Sequence, residues 1–185
     1  MKIHRKPTIP FGSFELVGDK FVEMVGSLPE IKEFQELELM KKFVVVFNSK
    51  VGELSDLRQL SFDDHDFELK QNAQDIVIQL TEISLRGIGW KVGGGYFIPN
   101  IQDENILLRN AIVRKVEKQY QKPASKKFWL LVFQTDTPSG MREETIELAR
   151  EYLVTLQNLP FDEVWYFHLY ADDPEGMIKK VWPFG

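Results

Sequence analysis

The chain contains no cysteine and few histidines, and these absences limit its chemistry. Its 185 residues include no Cys and three His. Disulfides, thiolate zinc sites and a cysteine nucleophile are therefore excluded. The serines and histidines show no G-x-S-x-G spacing, so a serine hydrolase has no support. A chain without cysteine suits a reducing compartment, and we expect a cytoplasmic protein.

Long apolar runs are missing as well. No window approaches the roughly 18 apolar residues of a membrane span, and residues 1–14 contain basic residues but no apolar signal-peptide region. We therefore expect a soluble protein with no membrane partner. The formal net charge of −5 argues against a nucleic-acid binder that uses its whole surface, although it permits a local basic stripe.

The composition is that of a folded protein with a sizeable core. Hydrophobic residues make up 43% of the chain, including 14 Phe and 4 Trp. No long linker or change of composition divides it, which predicts a single domain over residues 1–185. Within that domain we expect an extended lead-in over 1–14, a mainly helical part over 19–60 and an α/β core over 62–183.

Two helices are predicted in the N-terminal part. Asp19 is a suitable N-cap for a short helix that ends near Ser27. A second helix begins at the capping sequence Ser27-Leu28-Pro29-Glu30 and continues toward Met40. The β-rich run over 43–47 is either a first strand or the buried end of that helix.

The stretch over 62–83 predicts a strand, a turn and a second strand. Apolar and polar residues alternate on both sides of a four-residue turn at 71–74. An antiparallel pair closed by that turn places Lys70 opposite Asp75 and Asp66 opposite Gln79. Four polar side chains then share one face: Asp64, Asp66, Gln79 and Thr81.

The remaining sequence indicates a sheet covered by helices. Residues 86–99 contain five glycines but match neither the P-loop nor the dinucleotide fingerprint, which favours a loop or twisted hairpin over a phosphate site. A helix is predicted over 103–119, followed by a strand (128–133), a helix (142–157) and two strands (163–170 and 177–182). This alternation is typical of α/β proteins.

Several of these segments together resemble the PD-(D/E)XK, or restriction-endonuclease-like, nucleases over roughly residues 28–183. The resemblance rests on the acidic hairpin followed in order by ILLRNAIVRKVEKQY, FWLLVF, AREYL and FDEVWYFHL. It implies a central mixed β-sheet flanked by helices. It also implies a strand-borne aspartate that shares one face with a (D/E)-X-K triplet on the next strand. In that family the carboxylates hold Mg²⁺ or Mn²⁺ and the lysine stabilises charge.

When the family's motif is placed on this sequence, two of its three residues differ from the family pattern. The aspartate falls on Asp66, or on Asp64 in the other register, whereas Gln79 and Thr81 occupy the acid and lysine positions. Glutamine offers a metal only a neutral oxygen, so we expect weak binding of Mg²⁺ or Mn²⁺ by Asp64, Asp66 and Gln79. Lys115 is a candidate for the missing cation. The candidates for a further carboxylate are Glu36, Glu38 and Glu82.

Two classes of function stay open at this point, and with them the question whether the chain is an enzyme. One is a metal-dependent phosphodiesterase acting on nucleic acid, or its catalytically degenerate descendant. Its predicted catalytic residues are Asp66, Gln79, Thr81 and Lys115, and its predicted nucleic-acid contacts are Arg114, Lys115, Lys118 and Lys122. The other is a non-catalytic protein-interaction or homo-oligomeric scaffold domain that uses segment 86–99. In that case the basic residues form a solvated helix face. We also expect His65 to be an exposed loop residue and His168 to be a hydrogen-bonded residue of the core or of a sheet edge.

Overall fold

The computed structural model describes residues 11–17, 20–26, 28–60, 65–83, 100–118, 120–134, 140–156, 158–168 and 178–183, with side chains from residue 32 onward. The chain divides into two compact units, residues 1–41 and 42–185. The expectation of a single domain stays a prediction. No helix in the described ranges is both long enough and apolar enough to cross a membrane.

The first unit begins with a β-hairpin. Strand β1 (Phe11–Val17) pairs antiparallel with β2 (Lys20–Gly26). The short helix predicted between Asp19 and Ser27 is therefore wrong. Two β-prone runs separated by Gly18-Asp19 are a hairpin signal, and this signal outweighs the capping potential of Asp19. Of the predicted lead-in, residues 1–10 lie outside the described ranges, and 11–14 belong to β1.

Helix α1 (Leu28–Lys50) confirms the second predicted helix and includes the run over 43–47 as its end. Phe43 and Phe47 are one turn apart and fully buried. The Phe43 ring packs edge-on against Phe167 at 5.6 Å, and the Phe47 ring packs edge-on against Trp165 at 5.1 Å. These contacts explain why a β-rich sequence is helical: its aromatic residues four apart bury one helix face.

Six strands of the described ranges form a mixed sheet in the second unit. Its strands lie in chain order: β3 (Leu54–Gln59), β4 (Phe67–Gln71), β5 (Gln74–Ile83), β6 (Lys127–Gln134), β7 (Glu163–His168) and β8 (Ile178–Trp182). Strands β5, β6 and β7 are parallel, and the other neighbours are antiparallel. Within 19–60, which is predicted to be mainly helical, α1 covers 28–50, and β2 and β3 are strands that the sequence did not predict.

The hairpin β4–β5 has the predicted register, with Lys70 opposite Asp75. Its turn is shorter than predicted, because Gln71 and Gln74 still pair with one another. Asn72 and Ala73 form the turn with φ values of 50° and 65°. Positive φ at both central residues is the geometry of a type I′ turn, which matches the twist of the strands.

Helices cover the sheet on both faces. Helices α2 (Ile101–Val116) and α3 (Glu143–Val154) pack on one face, and residues 42–50 of α1 pack on the other. Asn100 caps α2 by accepting a hydrogen bond from the Asp103 backbone N–H at 2.9 Å, so the helix begins two residues earlier than predicted. The predicted fold class, an α/β fold with a central mixed sheet flanked by helices, is confirmed.

Candidate functional site

The candidate site lies where the chain enters β4. The Asp66 backbone N–H donates to the Ile78 carbonyl at 3.0 Å, and the Asp66 carbonyl accepts from the Leu60 N–H at 3.0 Å. The backbone of Asp66 is thus held on both sides, by β5 and by the residue that follows β3. This fixes where its side chain meets β5.

Asp66 contacts the Gln79-Leu80-Thr81 triplet directly. Its Oδ2 atom accepts a hydrogen bond from Gln79 Nε2 at 2.5 Å and another from the Leu80 backbone N–H at 2.6 Å. Bonds to an ionised carboxylate are short and stronger than neutral ones. The contact agrees with the predicted register, in which Asp66 lies opposite Gln79.

Gln79 is 5% exposed, so its amide belongs to the interior. With Nε2 turned toward Asp66, its Oε1 atom is buried and has no hydrogen-bond partner among the described residues. The reverse orientation would place the amide oxygen against the carboxylate oxygen, so Asp66 determines how the amide is oriented. A buried acceptor without a donor costs about 1–3 kcal/mol, and the two bonds to Asp66 offset that cost.

Thr81 is buried on the same face of β5 as Gln79, since side chains two apart share a face. That face belongs to the core under α2 and α3, because Val77 and Ile83 pack there with Leu108 and Ile112. Glu82 is exposed and projects to the opposite face, so the structure does not bring it to Gln79.

The other acidic candidates are not placed at the site. Asp64 lies outside the described residues. Glu36 and Glu38 belong to the first unit, where they pair with Lys32 at 3.3 Å and with Lys41 at 2.7 Å.

His65 is half-buried, and the expectation of an exposed loop histidine is wrong. Its ring packs edge-on against Phe128, with centroids 4.8 Å apart. Its Nδ1 atom is buried and has no hydrogen-bond partner in the described part of the chain. Phe128 lies far away in sequence, so no local pattern could have predicted this burial. His168 is fully buried, as predicted.

Tyr120 connects the site to the basic end of α2. Lys115 Nζ lies 3.5 Å from the Tyr120 hydroxyl and 5.9 Å from the ring centroid. The Tyr120 ring is 6.5 Å from the ring of His65, the residue before Asp66. Sequence reasoning selected Lys115 but missed Tyr120, which follows the helix in an irregular segment that carries no motif.

The other members of the predicted basic group differ in their surroundings. Arg114 and Lys118 are exposed. Lys122 forms a 2.5 Å ion pair with Asp162 Oδ1, and Asp162 Oδ2 accepts the Phe128 backbone N–H at 2.8 Å. The charge of Lys122 is therefore partly neutralised, and Arg114, Lys115 and Lys118 make up most of the basic surface at this end of α2.

The described residues of the site do not fit a divalent ion as they are arranged. The described ranges contain no group of three or more His, Asp or Glu residues that could hold a metal. Asp66 already uses one oxygen for two N–H donors, and Gln79 turns its NH₂ group toward that oxygen. Mg²⁺ prefers several hard oxygen ligands in octahedral geometry, and this pair supplies too few.

Comparison with known proteins adds no family assignment. No protein-family model matches the chain, and no curated protein matches its sequence. One similar solved structure is that of Pyrococcus furiosus SfsA in complex with Ca²⁺, at 11% sequence identity and a TM-score of 0.33. The similarity covers 92% of this chain and 75% of that one. At such a score the residues of the two chains cannot be compared, so the roles of the site residues rest on the contacts within this chain.

Proposed function

We propose that this chain is a catalytically degenerate, nuclease-like protein that binds the backbone of nucleic acids. The supporting observation is the contact between Asp66 and the Gln79-Leu80-Thr81 triplet. An aspartate at the start of one strand meets a three-residue motif on the next strand, which is the arrangement that the resemblance to PD-(D/E)XK nucleases implies. The mixed α/β sheet is compatible with that proposal.

The residues at positions 79 and 81 favour binding over hydrolysis. A metal-dependent phosphodiesterase needs an ion that polarises the phosphate and activates water. Gln79 lacks the charge that would attract this ion, and Thr81 lacks the cation of the missing lysine. Catalysis by Asp66, Gln79, Thr81 and Lys115, and weak binding of Mg²⁺ or Mn²⁺ by Asp64, Asp66 and Gln79, stay predictions of the resemblance, and the present proposal includes neither.

The basic end of α2 is the proposed contact surface. Arg114 and Lys115 lie in the last turn of the helix and Lys118 lies two residues beyond its end. Lys115 reaches Tyr120 beside His65. Basic side chains that neutralise phosphates release counterions, which makes binding salt-dependent. Lys122 belongs to the same group, although its ion pair with Asp162 reduces its expected share.

Fluorescence anisotropy with single- and double-stranded DNA and RNA, at low and moderate salt, tests this function. We expect log K to fall with log salt by roughly 0.7 to 0.9 per phosphate contact. The double variant Lys115→Gln, Lys118→Gln should weaken binding and reduce that slope. A charge-matched control, Lys42→Gln with Lys50→Gln, removes two lysines from α1 on the opposite face of the sheet. It should leave the affinity and the salt slope unchanged. Absence of binding to every oligonucleotide at low salt would refute the proposal.

The alternative, a protein-interaction or homo-oligomeric scaffold domain, depends on segment 86–99. That segment lies outside the described residues. The alternative therefore stays a prediction, and it gains support if no oligonucleotide binds and the full chain proves oligomeric in solution.

A further inference from the structure

We infer that the hydrogen-bonded pair of Asp66 and Gln79 replaces a metal ion and holds β4 to β5 without one. We call this pair, together with the Leu80 backbone N–H, the Asp66–Gln79 clamp. The inference concerns the same site as the proposed function. It rests on that function in one respect, namely the expectation that a related nuclease carries an acidic residue at position 79. Its test measures stability and ion binding without nucleic acid, so the two proposals can fail separately.

The short contact distance is the first argument. Gln79 Nε2 approaches Asp66 Oδ2 to 2.5 Å, which is possible because one group donates a hydrogen and the other accepts it. Two ionised carboxylates at that separation would repel one another, and such a pair either shares a proton or holds a cation between its oxygens. The amide of Gln79 removes the need for either.

Burial is the second argument. Gln79 is 5% exposed. An isolated ionised carboxylate in such a place is far more costly than a hydrogen-bonded neutral amide, so an acid at position 79 would need a compensating cation or a proton. Because glutamine is neutral, position 79 adds no charge to the interior and needs no cation to balance it.

The Leu80 backbone N–H is the third argument. It donates to the same Oδ2 atom at 2.6 Å, so the carboxylate is tied to the main chain of β5 as well as to a side chain. A divalent ion that used this oxygen would have to displace at least one of the two donors. The native chain would then exchange a charge-assisted hydrogen bond for a single metal contact, and we therefore expect no net stabilisation by the ion.

Nuclear magnetic resonance on the wild-type chain tests the clamp without any substitution. Paramagnetic Mn²⁺ broadens the signals of nuclei near a bound ion. We expect no selective broadening of the Leu80 amide or of the Gln79 side-chain NH₂ signals as Mn²⁺ is added. Selective loss of those signals at Mn²⁺ concentrations that leave the exposed acidic residues unaffected would overturn the inference.

Thermal unfolding of Gln79→Glu provides the second measurement. In the presence of a chelator at mildly alkaline pH, we expect its Tm to lie roughly 5–15 °C below that of the wild type, since a second carboxylate is buried against the first. Added Mn²⁺ should raise the Tm of this variant and leave that of the wild type unchanged.

A matched control is Gln35→Glu, which makes the same change at an exposed position of α1. It should alter the Tm by no more than about one degree, since surface substitutions away from buried groups usually change stability little. A Gln79→Glu chain as stable as the wild type in chelator, or a wild-type chain stabilised by Mn²⁺, would contradict the clamp. If Gln79→Glu fails to fold, the resonance measurement on the wild type decides.

Discussion

Lys115 Nζ lies 3.5 Å from the Tyr120 hydroxyl, so a charge at the end of α2 is held beside an aromatic ring that approaches His65. If Lys115 contacts phosphate, this hydroxyl is a positioning group for it. Tyr120→Phe should then weaken nucleic-acid binding roughly 2- to 10-fold, the equivalent of one net hydrogen bond. Anisotropy measures the affinity, and the Tm should change little because the ring is retained.

Tyr152→Phe is the matched control, since it removes the hydroxyl of another half-buried tyrosine, on α3. Its affinity should equal that of the wild type. Equal affinity for Tyr120→Phe, while Lys115→Gln still weakens binding, would show that Tyr120 does not position the lysine.

A second prediction concerns the hydroxyl of Tyr166, which is fully buried between β6 and the loop before α3. It donates to Gln134 Oε1 at 2.7 Å and accepts the Met141 backbone N–H at 3.1 Å. Tyr166→Phe leaves both partners buried with one bond fewer, and we expect the free energy of unfolding to fall by about 2–4 kcal/mol. Urea unfolding measures this quantity. A loss below about 0.5 kcal/mol would mean that these groups find other partners.

A third prediction concerns the turn between β4 and β5. Ala73 has a φ of 65°, a region that costs residues with a Cβ roughly 1 kcal/mol and costs glycine little. Ala73→Gly produces Asn-Gly, the preferred sequence for a type I′ turn, and should raise the free energy of unfolding by about 0.5–1 kcal/mol. Thermal unfolding checks the sign. The same substitution in a helix, Ala111→Gly, should destabilise the chain by about 1 kcal/mol or more.

The register of the central hairpin could be predicted because its information is local. Alternating apolar residues on both sides of the turn place Lys70 opposite Asp75, and a two-residue or four-residue turn with the same centre gives the same pairing. The buried strands β6 and β7 were likewise evident as continuous apolar runs. Each of these features is determined by residues within about ten positions of one another.

The features that sequence reasoning missed depend on distant residues or on competing local signals. His65 is half-buried because Phe128, 63 positions later, brings its ring to 4.8 Å. The ring of Tyr120 packs against the same residue, with its centroid 6.0 Å from that of Phe128. At β2, capping by Asp19 and hairpin formation around Gly18-Asp19 were both compatible with the sequence, and the pairing of β1 with β2 decided between them.

The central claim is that the chain binds nucleic acid through the basic end of α2 but no longer hydrolyses it. Its most direct test is to incubate labelled DNA and RNA with the wild-type chain and Mn²⁺, under conditions in which anisotropy shows binding, and to separate the products by denaturing gel electrophoresis. We expect intact oligonucleotides at every time point. Cleavage that requires Mn²⁺ and disappears in Asp66→Ala would contradict it, because an active site would then exist despite Gln79 and Thr81.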